Sequence, residues 1–164
     1  ELCKCQALFT KFGGHRQAAG VSLKEENVQR FRETINSLCT LTEEDLQMKV
    51  YIDMQVPFPY LTEDLIEQFQ VMEPFGKGNK RPLFAEKDLK VIQPKIVGKN
   101  ENVLQCILED KQGNRMKAVY FGDVKTCLKE MLAGKVTAVT YFPSINEYMG
   151  RRSIQLTIVN YQKK

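Results

Sequence analysis

One histidine, His15, serves the whole 164-residue sequence. A histidine-based metal centre needs several ligands that converge, so this scarcity argues against one. Cysteine is limited to Cys3, Cys5, Cys39, Cys106 and Cys127, an odd number without framework spacing. That excludes a disulfide scaffold and predicts a reducing, cytoplasmic compartment with the thiols buried and neutral. Cys3-Lys4-Cys5 is C-x-C rather than the C-x-x-C of a zinc ribbon. No apolar run approaches the ~18 residues of a membrane span, so no membrane is expected among the partners. The chain opens on Glu1 with neither an initiator methionine nor a basic-then-apolar signal, and reads as a piece of a longer protein. Internal repeats and low-complexity tracts are missing too.

What is present begins with charge. The net charge of +4 is unevenly placed. Residues 1–46 hold 6 basic and 7 acidic side chains, and residues 47–88 hold 5 and 7. Residues 89–164 hold 13 and 6. A basic C-terminal half suits a polyanion, although a lysine-rich solvated surface gives the same count.

Hydrophobic spacing predicts the elements. Ser22-Leu23-Lys24-Glu25 has the form of a capping box, and Val28, Phe31, Ile35 and Leu38 follow at helical spacing. Residues 47–56 alternate through Met48, Val50, Ile52, Met54 and Val56, which predicts a strand. Thr62 caps a second predicted helix that ends before Pro74 and Gly76. Residues 73–84 form a loop, either a linker or a phosphate-holding nest. Strands are expected near 88–97, 103–109, 115–121, 136–142 and 153–160. A helix capped by Asp123 and closed by Gly134 lies between the third and fourth.

Three strands, a helix and two strands is the order of the OB-fold, a five-stranded Greek-key barrel. The expected class is therefore α+β, with a barrel over 89–164 preceded by a connector over 47–88. OB barrels hold oligonucleotides on the second and third strands and on two loops. Here that selects Lys99 in the first loop, Arg115 and Lys117 on the third strand, and Tyr148, Arg151 and Arg152 in the last loop. Bases stack on aromatic rings, and the planar guanidinium fork suits phosphate. A solvated hairpin tip is the alternative for the last loop, and a protein-docking module with an acidic partner is the alternative for the barrel; charge, strand order and loop content together favour nucleic acid.

"FGGHRQAAG", residues 12–20, concentrates three glycines beside the sole histidine. Glycines allow close backbone approach to a ligand, and a helix starting just after would add its positive end. Gly13, Gly14, His15 and Arg16 are thus candidates for a phosphate cradle; a structural histidine after a turn is the alternative.

These residues also carry a resemblance. "FTKFGGHRQAAGVSL" resembles the G-G-H-x-x-A-A-G signature of the DHH-associated domain of DHH phosphoesterases. "MEPFGKGNKRPLF" and "INEYMGRRSIQL" resemble two further stretches of the RecJ family, single-strand-specific 5′-to-3′ DNA exonucleases of repair and recombination. The resemblance implies that residues 1–46 are the C-terminal part of an α/β DHH-associated domain, and it implies a division of labour. A separate DHH domain, absent here, would bind two Mn2+ or Mg2+ ions and cut the phosphodiester. Gly13, Gly14 and His15 would contact the substrate phosphate, and the OB domain would guide single-stranded DNA. No cofactor and no catalytic residue is then expected in this chain itself. Another DHH phosphoesterase, acting on short RNA or cyclic dinucleotides, shares the first motif.

Overall fold

The computed structural model describes residues 2–15 and 18–164. It divides into two compact units, Glu1–Lys49 and Val50–Lys164.

In the first unit, a 3-10 segment (Leu2–Leu8) leads into an antiparallel hairpin of β1 (Phe9–His15) and β2 (Ala18–Leu23). Gly13 lies opposite Gly20, Gly14 opposite Ala19, and His15 opposite Ala18. Ser22 therefore lies in a strand, opposite Lys11, and the expected capping box does not form. The pairing of the strands outweighs the local S-x-x-E pattern. A 3-10 turn (Glu25–Asn27) precedes α1 (Val28–Ser37), and neither start has a side-chain cap. The capping box of this unit lies instead at Thr42 and Asp45, at the start of the short α2 (Glu43–Leu46). Its two reciprocal hydrogen bonds turn a polar connector into one helical turn. Phe9 joins the hairpin to α1, its ring 5.4 Å from that of Phe31 in an edge-on contact.

The second unit is built on a mixed seven-stranded sheet. Its strands are β3 (Met54–Gln55), β4 (Phe84–Lys87), β5 (Lys90–Val97), β6 (Val103–Glu109), β7 (Arg115–Tyr120), β8 (Val136–Tyr148) and β9 (Arg151–Lys163). The order across the sheet is β3-β4-β8-β9-β7-β6-β5. All five expected strands are present, the last two as a hairpin reaching from 136 to 163. The expected closed five-stranded barrel is not seen: the ladder is open, with β3 and β5 at its edges. The predicted strand over 88–97 is β5; β4, just before it, was not expected, and Asp88, with a φ of 59°, lies between the two. β4 pairs with β8 and β5 with β6.

The predicted strand over 47–56 shrinks to Met54–Gln55, parallel to β4. Alternation there has no second surface to bury against: Met48 is 83% exposed, and Ile52 and Met54 are exposed as well. Thr62 does cap α3 (Glu63–Phe69), accepting from the Leu65 N–H. Asp123 caps α4 (Val124–Leu132) through the Thr126 N–H. Gly134 then ends α4 with a φ of +66°, while the Lys135 N–H returns to the Glu130 carbonyl.

The core takes alternate residues of the strands: Leu104, Cys106 and Leu108 of β6, Ala118 of β7, Leu156 and Ile158 of β9. Val124, Cys127 and Met131 of α4 close it on one side, and Phe58 and Tyr141 fill it on the other. Each fully buried leucine contributes roughly 1.5–3 kcal/mol relative to exposure. The Tyr141 hydroxyl donates to the Val56 carbonyl at 2.9 Å, so its burial leaves no unmet donor. Cys5, Cys106 and Cys127 are buried thiols, but Cys3 and Cys39 are exposed, against expectation. Burial pushes the Cys106 thiol up to about 12 and Cys127 to about 11, so both stay neutral. No helix among the described residues is long and apolar enough to cross a membrane.

Candidate nucleic-acid interface

Strand alternation that sends one set of residues to the core sends the other set to the opposite face. On β6 the outer set is Val103, Gln105, Ile107 and Glu109; on β7 it is Arg115 and Lys117, with Val119 next on that side but buried. The register then defines whole rows. Ile92, Ile107, Lys117, Gln155 and Ser144 follow one another across β5, β6, β7, β9 and β8. Beside them run Lys95, Gln105, Val119, Thr157 and Phe142. On the other side, Lys90, Glu109 and Arg115 are in register. Further along the β8–β9 hairpin, Tyr148 pairs with Arg151 on this same face.

The face thus carries Lys90, Lys95, Arg115, Lys117 and Arg151 against one carboxylate, Glu109. That carboxylate is taken by Arg115, whose Nε donates to it at 2.6 Å. Lys117 lies at the centre of its row, and Tyr148 is 71% exposed at the hairpin end. Such a surface offers cations for a phosphate backbone, amides and hydroxyls for polar edges, and a ring for stacking.

Of the residues selected from sequence, Lys117, Arg115, Tyr148 and Arg151 share this face. Lys99 is exposed in the tight turn between β5 and β6, which Gly98 permits with a φ of +90° and the Glu101 N–H closes onto the Gly98 carbonyl. Arg152 points the other way. It pairs with Glu63 at 3.4 Å and donates to Glu67, both on α3. Hydrogen bonding to Glu67 and the charge of Glu63 raise its already high pKa. This guanidinium ties the hairpin to α3, a contact between residues 85 apart that no local pattern announces.

Gly13, Gly14 and His15 lie in the other unit, at the end of the β1–β2 hairpin. A side chain at Gly14 would meet the Ala18 oxygen at 2.6 Å and the Ala19 Cα at 2.6 Å. Glycine there is required by the pairing itself. A strand, not a helix, follows the motif, so the expected helix end is missing from this place. Arg16 lies outside the described residues.

Sequence reasoning missed Lys90, Lys95, Gln105, Phe142 and Gln155. The signal for them was parity with Lys117, readable once the core face of each strand is known. Arg81 was also missed. Its guanidinium lies 4.9 Å over the Phe142 ring and donates to the Pro143 carbonyl at 3.1 Å.

Among the described residues, no group of three or more His, Cys, Asp or Glu side chains is placed to hold a metal ion. The donor set of a two-metal centre is therefore not provided by these residues.

A family model described as the RecJ OB domain matches residues 52–160. The chain is 31% identical over 153 residues to the single-stranded-DNA-specific exonuclease RecJ of Haemophilus influenzae, over 92% of this chain and 26% of that protein. It is 28% identical to the Bacillus subtilis protein of the same name, over 96% of this chain and 20% of that protein. Among solved structures, it is similar to RecJ in complex with Mn2+ from Thermus thermophilus, with a TM-score of 0.73 and 20% identity. That match covers 99% of this chain and 23% of the other. The Mg2+ complex of the same protein gives a TM-score of 0.71 at 19% identity, over 99% of this chain and 24% of the other. The chain spans between 20% and 26% of the length of these full relatives. The family model covers more than half of the chain: the chain belongs to the RecJ family and carries its OB domain.

Proposed function

We propose that this chain is the DNA-holding part of a RecJ-type exonuclease of DNA repair and recombination. Single-stranded DNA crosses the face of β5, β6, β7, β9 and β8 turned away from the core. Lys95, Lys117 and Arg151 follow its phosphates, with Lys99 at the turn, and Tyr148 stacks a base. Residues 1–46 are the end of a DHH-associated domain, 47–88 a connector, and 89–164 the OB domain. Gly13, Gly14, His15 and Arg16 receive a phosphate as the strand passes to a catalytic domain outside this chain. Mn2+ or Mg2+ belongs to that domain.

The observation that carries the reading is the concentration of five cations and one exposed ring on a single sheet face, in adjacent rows, with one carboxylate among them. The cationic track and the base-stacking platform are the two halves of single-strand recognition. The test is a fluorescence-anisotropy titration of the chain with a labelled single-stranded oligonucleotide at two salt concentrations. Lys117→Ala/Arg151→Ala is expected to weaken binding and to flatten its salt dependence by about one unit of slope per lost phosphate contact. Arg152→Ala is expected to change DNA affinity far less, because its guanidinium is taken by α3. Equal losses in both variants would sink this assignment of the face. The pure chain is expected to cut nothing; a metal-dependent nuclease activity lost in His15→Ala would overturn the division of labour.

A further inference from the structure

The pairing of β8 is uneven. β4 covers it only from Ala138 to Tyr141, while β9 accompanies it to Tyr148. Beyond Tyr141, the side of β8 away from β9 has no strand beside it among the described residues. α3 and the 73–84 segment border this gap, and between them lies a cleft of about 170 Å³. Phe69, Phe75, Phe84 and Ile145 supply its apolar wall, and Arg81 and Ser144 its polar one.

Each wall is held in place. Phe69 packs on Phe84 with centroids 5.3 Å apart. The loop bearing Phe75 is pinned by Asn79, whose Nδ2 donates to the carbonyls of Met72 at 2.7 Å and Pro74 at 3.1 Å. A paired bridge of Gly76 and Asn79 closes that loop. Arg81 is fixed by the Pro143 carbonyl and the Phe142 ring. A cleft with fixed walls costs its ligand little reorganisation.

The cleft adjoins the basic face at the β8 edge, where Ser144 lines it and Arg81 lies over Phe142. Ser144 ends the row that contains Lys117, and Phe142, under Arg81, ends the row that contains Lys95. A strand following either row therefore runs toward the cleft mouth. The space is small for a drug-sized ligand or a peptide turn. It offers a half-buried ring in Phe75, and both donors and an acceptor in Arg81, Gln70 and Glu73. Flat rings with polar edges match that combination. We infer that this cleft takes one unstacked nucleobase of the bound single strand, stacked on Phe75 and met at its edge by Arg81 or Glu73. The inference rests on the reading of the outer face as the DNA surface. It adds a base site at the end of that surface opposite to Lys90 and Lys95.

Photo-crosslinking separates the two ideas. An oligonucleotide of about 16 nucleotides carrying 5-iododeoxyuridine at each position in turn is bound to the chain, irradiated and mapped by mass spectrometry. Crosslinks at Phe75 are expected from a base in the cleft. Phe75→Leu keeps the apolar contact, removes the stacking platform, and is expected to abolish that crosslink and weaken binding about tenfold. Lys117→Ala is expected to weaken binding but to leave the Phe75 crosslink in the molecules that do bind. Retained binding with crosslinks at Tyr148 and none at Phe75 would overturn the cleft and spare the face. No binding at low salt would overturn both.

Discussion

The two units of this chain use the same alphabet to different ends. In residues 2–49, apolar side chains recur at helical spacing along α1, yet none of them is buried, and Cys5 is the one buried residue among those described. In residues 50–164, alternation along the strands delivers Leu104, Leu108, Leu156 and Tyr141 to complete burial. The difference teaches that an amphipathic pattern specifies which face is apolar, and only an opposing surface turns that face into stability. The second unit contains its own opposing surface in α4 and the folded sheet. The first contains one hairpin, α1 and the single turn of α2, with Phe9 packed on Phe31.

The largest expected effect tests that contrast directly. Leu108→Ala should destabilise the second unit by about 2–5 kcal/mol in chemical denaturation, since the cavity it leaves is enclosed. Val28→Ala, already half in water, should cost far less. Equal losses would mean that the first unit is as well supported as the second. Next, Gly14→Ala should cost roughly 1–3 kcal/mol, because the new methyl meets backbone rather than a movable side chain. Amide exchange should speed in β1 and β2 while the core strands keep their protection.

A smaller effect sharpens the account of the core. Tyr141→Phe should cost about 1 kcal/mol, the value of a buried hydrogen bond, and leaves the Val56 carbonyl without its donor. The smallest concerns pH. Burial opposes ionisation of Asp110, but hydrogen bonds from Asn114, Gln112 and Gly113 prevail and hold its carboxyl below the usual 3.8. A lowered carboxyl pKa stabilises the fold above the unfolded value, and that contribution is lost as pH falls through the folded one. The stability advantage of the native chain over Asp110→Asn should therefore be full at neutral pH and shrink below about pH 4.

Much of the second unit was legible because several local signals agreed. Asp123 and Gly134 bracket α4 as read, and the alternation of β6 and β7 gave their faces. The strand over 47–56 was misread because alternation is necessary and not sufficient: Met48 and Ile52 lack a covering layer. Ser22 misled because S-x-x-E marks a helix start only where the backbone is not already paired, and Ser22 is opposite Lys11. The placement of Lys117 and Arg151 on one sheet face followed from strand order. That of Arg152 did not, since its partners Glu63 and Glu67 lie far back in the chain. The row from Lys117 to Ser144 depends on registers of four ladders, which no single stretch of sequence encodes.

The turn at Asp88 has a consequence for how the sheet is assembled. It lets one short stretch, Phe84 to Val97, serve two rims: β5 against β6, and β4 against β8. The first pairing joins neighbours in sequence and closes early. The second waits until β6, β7 and α4 have been laid down, so it carries the larger loop-closure entropy. Until β8 arrives, β4 is an open edge able to template unwanted strand pairing. In the folded chain that edge is covered along Phe84–Lys87 by the ladder with β8.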